Sequence, residues 1–248
     1  MNNGKSSFGN LLLGYDDFDT INSQQIQNKA TTMLNGTLFG EENQPKIRII
    51  DSKGHERQDQ TDFQNASKLI SLLRQHPSHT ALIYVLEIKH LVSENPLNEF
   101  RLKFYKSTFK DFLKNTIFVI SKWSFHKNHT DQRAKENIDE NEVHKKLQKL
   151  LEAVGFENPN PTVYFIDSFY DPNDFIQRGM FNSGFESFWQ HVSKMNATNI
   201  LEDDQNVRDS LQKYKITHKT YQEDHLQIRE DYEQMIKNRE EIIKKEKE

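Results

Sequence analysis

Cysteine is absent from all 248 residues. That removes a disulfide framework, a thiolate metal site and a cysteine nucleophile, and closes off prenylation and palmitoylation. A long apolar run is missing as well: nothing approaches the ~18 residues of a spanning helix, and the polar N-terminus does not read as a signal peptide. The third absence is a basic excess. Thirty-three Lys and Arg stand against 37 Asp and Glu, for a formal charge of −4, which leaves no electrostatic footprint for nucleic acid or an anionic membrane surface. The expectation is a cytoplasmic protein with no nucleic-acid partner and no membrane span. The length suits one domain of about two hundred residues with an added segment.

What is present is an alternation of short apolar runs and amphipathic stretches, the pattern of a parallel sheet covered by helices. The reading is α/β. A helix over 6–13 is stopped by Gly14, and a short strand carries Ile47, Ile49 and Ile50. A helix over 63–73, a buried strand over 81–88, a helix over 97–113 behind Pro96 and a buried strand over 116–120 follow. Val143, Leu147, Leu150, Leu151 and Val154 then mark a helical stripe that Gly155 ends, before a strand over 162–166 and a helix over 185–195. No Gly or Pro follows Gly184, and from about Glu202 charge dominates. The organisation expected is a domain over 1–200 and a charged helical tail over 201–248. Leu211, Tyr214, His218, Ile228, Met235 and Ile242 keep a three-four spacing along that tail, so a solvated helix, a weak coiled coil and docking onto the domain are all open.

The stretch Gly4-Lys5-Ser6-Ser7-Phe8-Gly9-Asn10-Leu11-Leu12-Leu13-Gly14 reads as the second half of a phosphate-binding loop running into its helix. In such a loop the helix N-terminus and its N–H groups face the phosphates, the Lys reaches the β/γ oxygens, and the hydroxyl of Ser6 binds Mg²⁺. A polar start to an ordinary helix is the competing reading. One strand later comes Asp51-Ser52-Lys53-Gly54, an Asp-x-x-Gly at the carboxyl end of a strand, where open α/β sheets collect ligands. Asp51 there can hold Mg²⁺ through water, and Gly54 lets a backbone N–H approach a γ-phosphate, with a plain turn as the competing reading of the tetrapeptide alone. After the 116–120 strand stands Ser121-Lys122-Trp123-Ser124, where a guanine-nucleotide protein carries Asn/Thr-Lys-x-Asp. Ser121 can act as Thr does and Lys122 lies along a purine, but Ser124 offers one hydroxyl where a carboxylate makes two charge-assisted bonds. After the last strand, Asp167 and Ser168 stand where the base-flanking loop of such a fold lies, with a plain turn as the alternative.

In this order the motifs, with Ala30-Thr31-Thr32 and Tyr164-Phe165-Ile166-Asp167, resemble those of the immunity-associated GTPases, the avirulence-induced-gene type, over roughly Gly4 to Met195. The resemblance implies a P-loop, G-domain-like parallel sheet with helices on both faces, GTP/GDP and Mg²⁺ as cofactors, slow GTP hydrolysis and nucleotide-dependent self-association. It implies nucleotide binding by Gly4, Lys5, Ser6, Ser7, Asp51, Gly54, Ser121, Lys122, Ser124, Asp167 and Ser168. Mg²⁺ would be held at Ser6, Thr32 and Asp51, with Thr32 (or Thr31) sensing the γ-phosphate. His55, beside Gly54, is the candidate for orienting the attacking water.

Three departures stand out: only three residues precede Gly4, Lys53 replaces a usual Pro, and Ser124 replaces an acidic residue. The chain is accordingly expected to be truncated within its phosphate loop. The strand ahead of that loop would lie between the strands of Ile47–Ile50 and Ala81–Ile88, buried on both faces. A second reading follows from the same departures: a degenerate, nucleotide-free domain acting as an interaction module through its tail. A P-loop ATPase is the third.

Overall fold

The computed structural model describes residues 4–15, 31–52, 59–92 and 96–216. Ala30, Lys53, Gly54, His55 and the tail seam beyond residue 216 lie outside these described residues. Helix α1 (Lys5–Leu13) is followed by the antiparallel hairpin of β1 (Thr32–Thr37) and β2 (Lys46–Asp51), then α2 (Asp59–Gln75). Next come β3 (Leu82–Glu87), α3 (Ile88–Val92), α4 (Pro96–Thr108), α5 (Phe112–Asn115) and β4 (Thr116–Ser121). The last elements are α6 (Lys127–Lys135), α7 (Glu140–Ala153), β5 (Thr162–Phe165), α8 (Phe175–Lys194) and a helix over 204–216, here α9.

The fold is α/β. β3, β4 and β5 form a parallel sheet in that order, with Val85 opposite Val119 and Val119 opposite Tyr164. Side chains alternate across a sheet, so Tyr84 and Phe118 share one face and Val119 and Tyr164 the other. On the first face Tyr84 meets Tyr105 of α4, Phe118 meets Phe112 of α5, and Phe165 meets His144 of α7. On the second, Tyr164 packs edge-on against Phe188 of α8, which in turn packs against Phe8 of α1. Helices thus cover both faces. Every residue of β4 is buried, as a strand with a neighbour on each side and a helix layer on each face requires.

Several local differences from the sequence pattern have physical causes. The helix expected over 97–113 is two pieces, because Phe109 leaves the helix to bridge Leu201 and Asp111 turns back in the left-handed region at φ 44. α8 begins ten residues before the expected start, with Asp174 accepting from the N–H groups of Ile176 and Gln177 as its N-cap. Residues 204–216, placed in the tail by composition, pack on the domain: Tyr214 is buried against Phe100 and Phe104 of α4, and Ser210 donates to the Ser107 carbonyl.

Candidate nucleotide site

The site is built where the ends of three elements meet. α1 starts at Gly4, which is held in the left-handed region at φ 74. A Cβ on Gly4 would lie 3.3 Å from Cβ of Ser121 at the carboxyl end of β4, so glycine suits the position by its backbone angle and a side chain there would press on Ser121. Two residues on, Ser6 Oγ donates to Asp51 Oδ2 at 2.8 Å, at the carboxyl end of β2. The sequence therefore brings Gly4, Ser6, Asp51 and Ser121 together from positions more than a hundred residues apart.

Burial pushes the Asp51 carboxyl above the ordinary aspartate value, and the Ser6 hydrogen bond and the Lys5 charge oppose this without cancelling it. A hydroxyl and a carboxylate within hydrogen-bond distance, beside a lysine and a helix N-terminus, suit a hard dication shared with a polyphosphate. Mg²⁺ takes oxygen ligands and usually one or two protein groups plus phosphates, rather than an all-protein cage. No group of three or more His, Cys, Asp or Glu side chains able to hold a metal occurs among the described residues. Thr32 is the register partner of Asp51 across the β1–β2 hairpin, which puts it at the same end. Thr31, the other candidate, has a hydroxyl buried without a hydrogen-bond partner among the described residues.

The base-side candidates are differently employed. Ser121 is buried and its hydroxyl donates to the Leu86 carbonyl at 3.2 Å, locking β4 to β3. Lys122 occupies the left-handed region at φ 57 and its Nζ lies 3.0 Å from Glu87 Oε1, which Lys89 also meets at 2.9 Å. Burial pushes the Glu87 carboxyl up, but the hydrogen bonds and charges of the two lysines outweigh it and leave it below the usual carboxylate range. Ser124 Oγ accepts from the His126 N–H at 3.2 Å, and His126 caps α6. Asp167 is buried, with Oδ2 accepting from the Phe125 N–H at 3.1 Å and Oδ1 from the Phe169 N–H at 3.0 Å. It ties the loop after β4 to the loop carrying Ser168. Beside it the Arg133 guanidinium covers the buried Trp123 ring at 4.2 Å.

Glu87 escaped the sequence reading. Its signal was one acidic residue inside the otherwise apolar run 81–88, since a charge in a buried strand needs partners. Among the histidines, His76 Nδ1 meets Arg48 at 3.1 Å, and burial lowers the His79 pKa.

Removing the Asp167 carboxylate strands the N–H of Phe125 and of Phe169. Each unsatisfied buried donor costs about 1–3 kcal/mol. Asp167→Ala is expected to destabilise the chain by about 2–3 kcal/mol, with water reaching the Phe169 side, and urea melts would read it. A melt identical to the parent's would show that these bonds are dispensable.

No family model matches the chain, and no curated protein matches it significantly. Among solved structures, Toc33 from Arabidopsis thaliana, in a dimerization-deficient mutant form, aligns at 15% identity with a TM-score of 0.41, over 79% of this chain and 82% of that one. At that level the likeness says nothing of this chain's site.

Proposed function

We propose that the chain is a nucleotide-binding protein of the immunity-associated GTPase type, which takes a Mg²⁺–nucleoside triphosphate at the start of α1, hydrolyses GTP slowly and self-associates according to nucleotide state. The observation that carries this is the 2.8 Å contact of Ser6 Oγ with Asp51 Oδ2, at the head of a helix that opens Gly4-Lys5-Ser6. Lys5 and the first N–H groups of α1 bind the anion, since both present positive potential there. Ser6 and Asp51 would hold the dication, which would supply charge neutralisation at the phosphates. Thr32 stands at the same end to sense the terminal phosphate, Gly54 supplies an N–H to it, and His55 orients water. The test is titration of labelled GTP with and without Mg²⁺. Saturable binding that weakens about tenfold or more on chelation supports the reading, and no binding in either condition overturns it.

Selectivity for the base is expected to be weak. Ser124 Oγ already accepts from the His126 N–H, and Asp167 is buried with a backbone donor on each oxygen, so neither offers the exposed, unengaged carboxylate that reads guanine. GTP and ATP affinities should lie within about tenfold, or ~1.4 kcal/mol. A hundredfold preference for GTP would contradict this. The same engagements favour a second reading, a domain that binds no nucleotide and serves as an interaction module through its tail. Failure of both nucleotides to bind with Mg²⁺ present is its signature.

A further inference from the structure

Six large apolar side chains are exposed among the described residues, and four of them lie within twelve residues of chain. Phe169 is 72% exposed, Phe175 78%, Ile176 70% and Met180 45%. Phe169 stands on the loop that leads from β5 into α8, and the other three are in the first two turns of α8. Residues three and four apart share a helix face, so Phe175 and Ile176 align with Gly179 and Met180, while Phe181, Phe185 and Phe188 are buried on the opposite face. The start of α8 is therefore apolar on both sides. A helix of that kind is normally covered on both.

The outward face is also ordered in advance. Asp174 caps the helix, Gln177 Oε1 accepts from the Asp171 N–H at 3.2 Å, and Tyr170 stacks on Phe181 with ring centroids 4.0 Å apart. A partner that docks here orders little, which removes a main cost of association. Charge is withdrawn from the same stretch: charged residues make up 28% of the chain, yet Arg178 alone is charged over 175–185. Its guanidinium is turned back over the Phe175 ring and onto the Pro172 carbonyl. Few charges, with Phe and Met in their place, is the composition of an interface core.

Charge, shape and area bear on what covers it. An anionic lipid surface calls for a basic rim, but the stretch is flanked by Asp171, Asp174 and Glu186 and contains no lysine. A charged peptide would find only Arg178, already engaged. The face does fit itself. Gly179 has nothing within 4 Å of an added Cβ, so it leaves a hollow beside Phe175, Ile176 and Met180. Two copies of α8 laid antiparallel across Gly179 bring Phe175 of each over the Gly179–Ser183 hollow of the other, and a two-fold axis closes such a pair. Area sets the strength. Exposed apolar patches of this kind cover roughly 300–600 Å², below the ~800 Å² per partner of a stable interface.

We propose that a second copy of this chain docks on the outward face of the first two turns of α8, giving a weak, antiparallel, two-fold dimer about Gly179. The contact lies outside the Gly4, Ser6 and Asp51 site and forms with that site empty, so its failure and the failure of the nucleotide reading are distinguishable.

Sedimentation velocity of the full chain, without nucleotide and with Mg²⁺–GTP, reads association from about 5 to about 300 μM. A reversible monomer–dimer equilibrium with a dissociation constant on the order of 10–100 μM is expected in both conditions. Ile176→Glu should raise that constant at least tenfold, because it sets a charge against apolar side chains. Gly179→Leu should do the same, because it fills the hollow. Both positions are exposed, and melts at the lowest concentration should show no loss of stability in either variant. A dimer of this kind in a chain that binds no nucleotide leaves the proposal standing and removes the nucleotide reading. A chain that stays monomeric throughout the range overturns the proposal. So does association that Ile176→Glu leaves unchanged, which places the contact elsewhere, and association seen only with Mg²⁺–GTP. Stronger association of Gly179→Leu than of the parent overturns it in favour of unspecific apolar adhesion. Phosphatidylcholine vesicles that bind a monomeric parent and not Ile176→Glu overturn it in favour of a lipid surface.

Discussion

Gly14→Ala is expected to lower stability by about 2–5 kcal/mol. Gly14 ends α1 at φ 72, where its N–H closes onto the Asn10 carbonyl at 2.8 Å. A side chain in that region costs about 1–2 kcal/mol by itself. The larger penalty is steric: a Cβ would lie 2.0 Å from the Phe39 carbonyl oxygen and 2.6 Å from the Gly40 nitrogen, both backbone atoms of the turn Leu38–Gly40 that follows β1. Backbone cannot swing aside as a side-chain tip can, so α1 and the β1–β2 hairpin must part, with an overpacking cost of about 1–3 kcal/mol. For a chain of this size that is a fall of about 5–15 °C in melting temperature. Gly179→Ala is the internal control. It lies inside α8 with nothing within 4 Å of its added Cβ, and helix propensity makes it stabilising by about 0.5–1 kcal/mol. Thermal melts of the two variants read the contrast, and equal melting temperatures would refute the steric account.

Gly14 also marks how far the sequence could be read. That a helix stops there was legible, because glycine adopts the left-handed cap without strain, and Gly155 ends α7 in the same way at φ 88. That the Gly14 Cα lies against the backbone of Phe39 was not, since nothing local records a contact across a segment of some twenty-five residues. Strands β3 and β4 were legible as apolar runs of strand length. β1 was not: Thr32–Thr37 reads Thr-Met-Leu-Asn-Gly-Thr, with no alternation and with Asn and Gly in it. Its strand character comes from the pairing with β2. α6 has no buried residue, so no apolar period exists to reveal it. At the candidate site, the meeting of Ser6 and Asp51 was legible because phosphate chemistry prescribes their types and order. The uses made of Ser121, Ser124 and Asp167 could not, because each is decided by a backbone group brought to it by the fold.

Asp51→Asn separates the structural part that carboxylate plays from the dication-holding role proposed for it. Burial holds its pKa above the ordinary value of about 3.9, so between that value and the raised one the folded chain keeps a proton that the unfolded chain has released. Stability therefore falls as pH rises through the window, and above it the cost of the buried charge is complete. An asparagine carries no charge there and can still accept from Ser6 Oγ. The variant is expected to be at least as stable as the parent at neutral pH, and to lose this part of the pH slope. Affinity for the Mg²⁺–nucleotide should move the other way. The amide holds a dication's water weakly, and loss of such an outer ligand costs about 10- to 100-fold in metal affinity. Binding without Mg²⁺ should change little or tighten, since the anion no longer faces a carboxylate. In the parent, Mg²⁺-dependent binding should decline on acidification through the raised pKa of Asp51, and in the variant this component should be flat. Nucleotide titrations with and without Mg²⁺, alongside melts from pH 4 to 7, measure both effects. A variant that melts lower than its parent at neutral pH while binding Mg²⁺–GTP undiminished would reverse both assignments, leaving Asp51 a structural partner of Ser6 and no more.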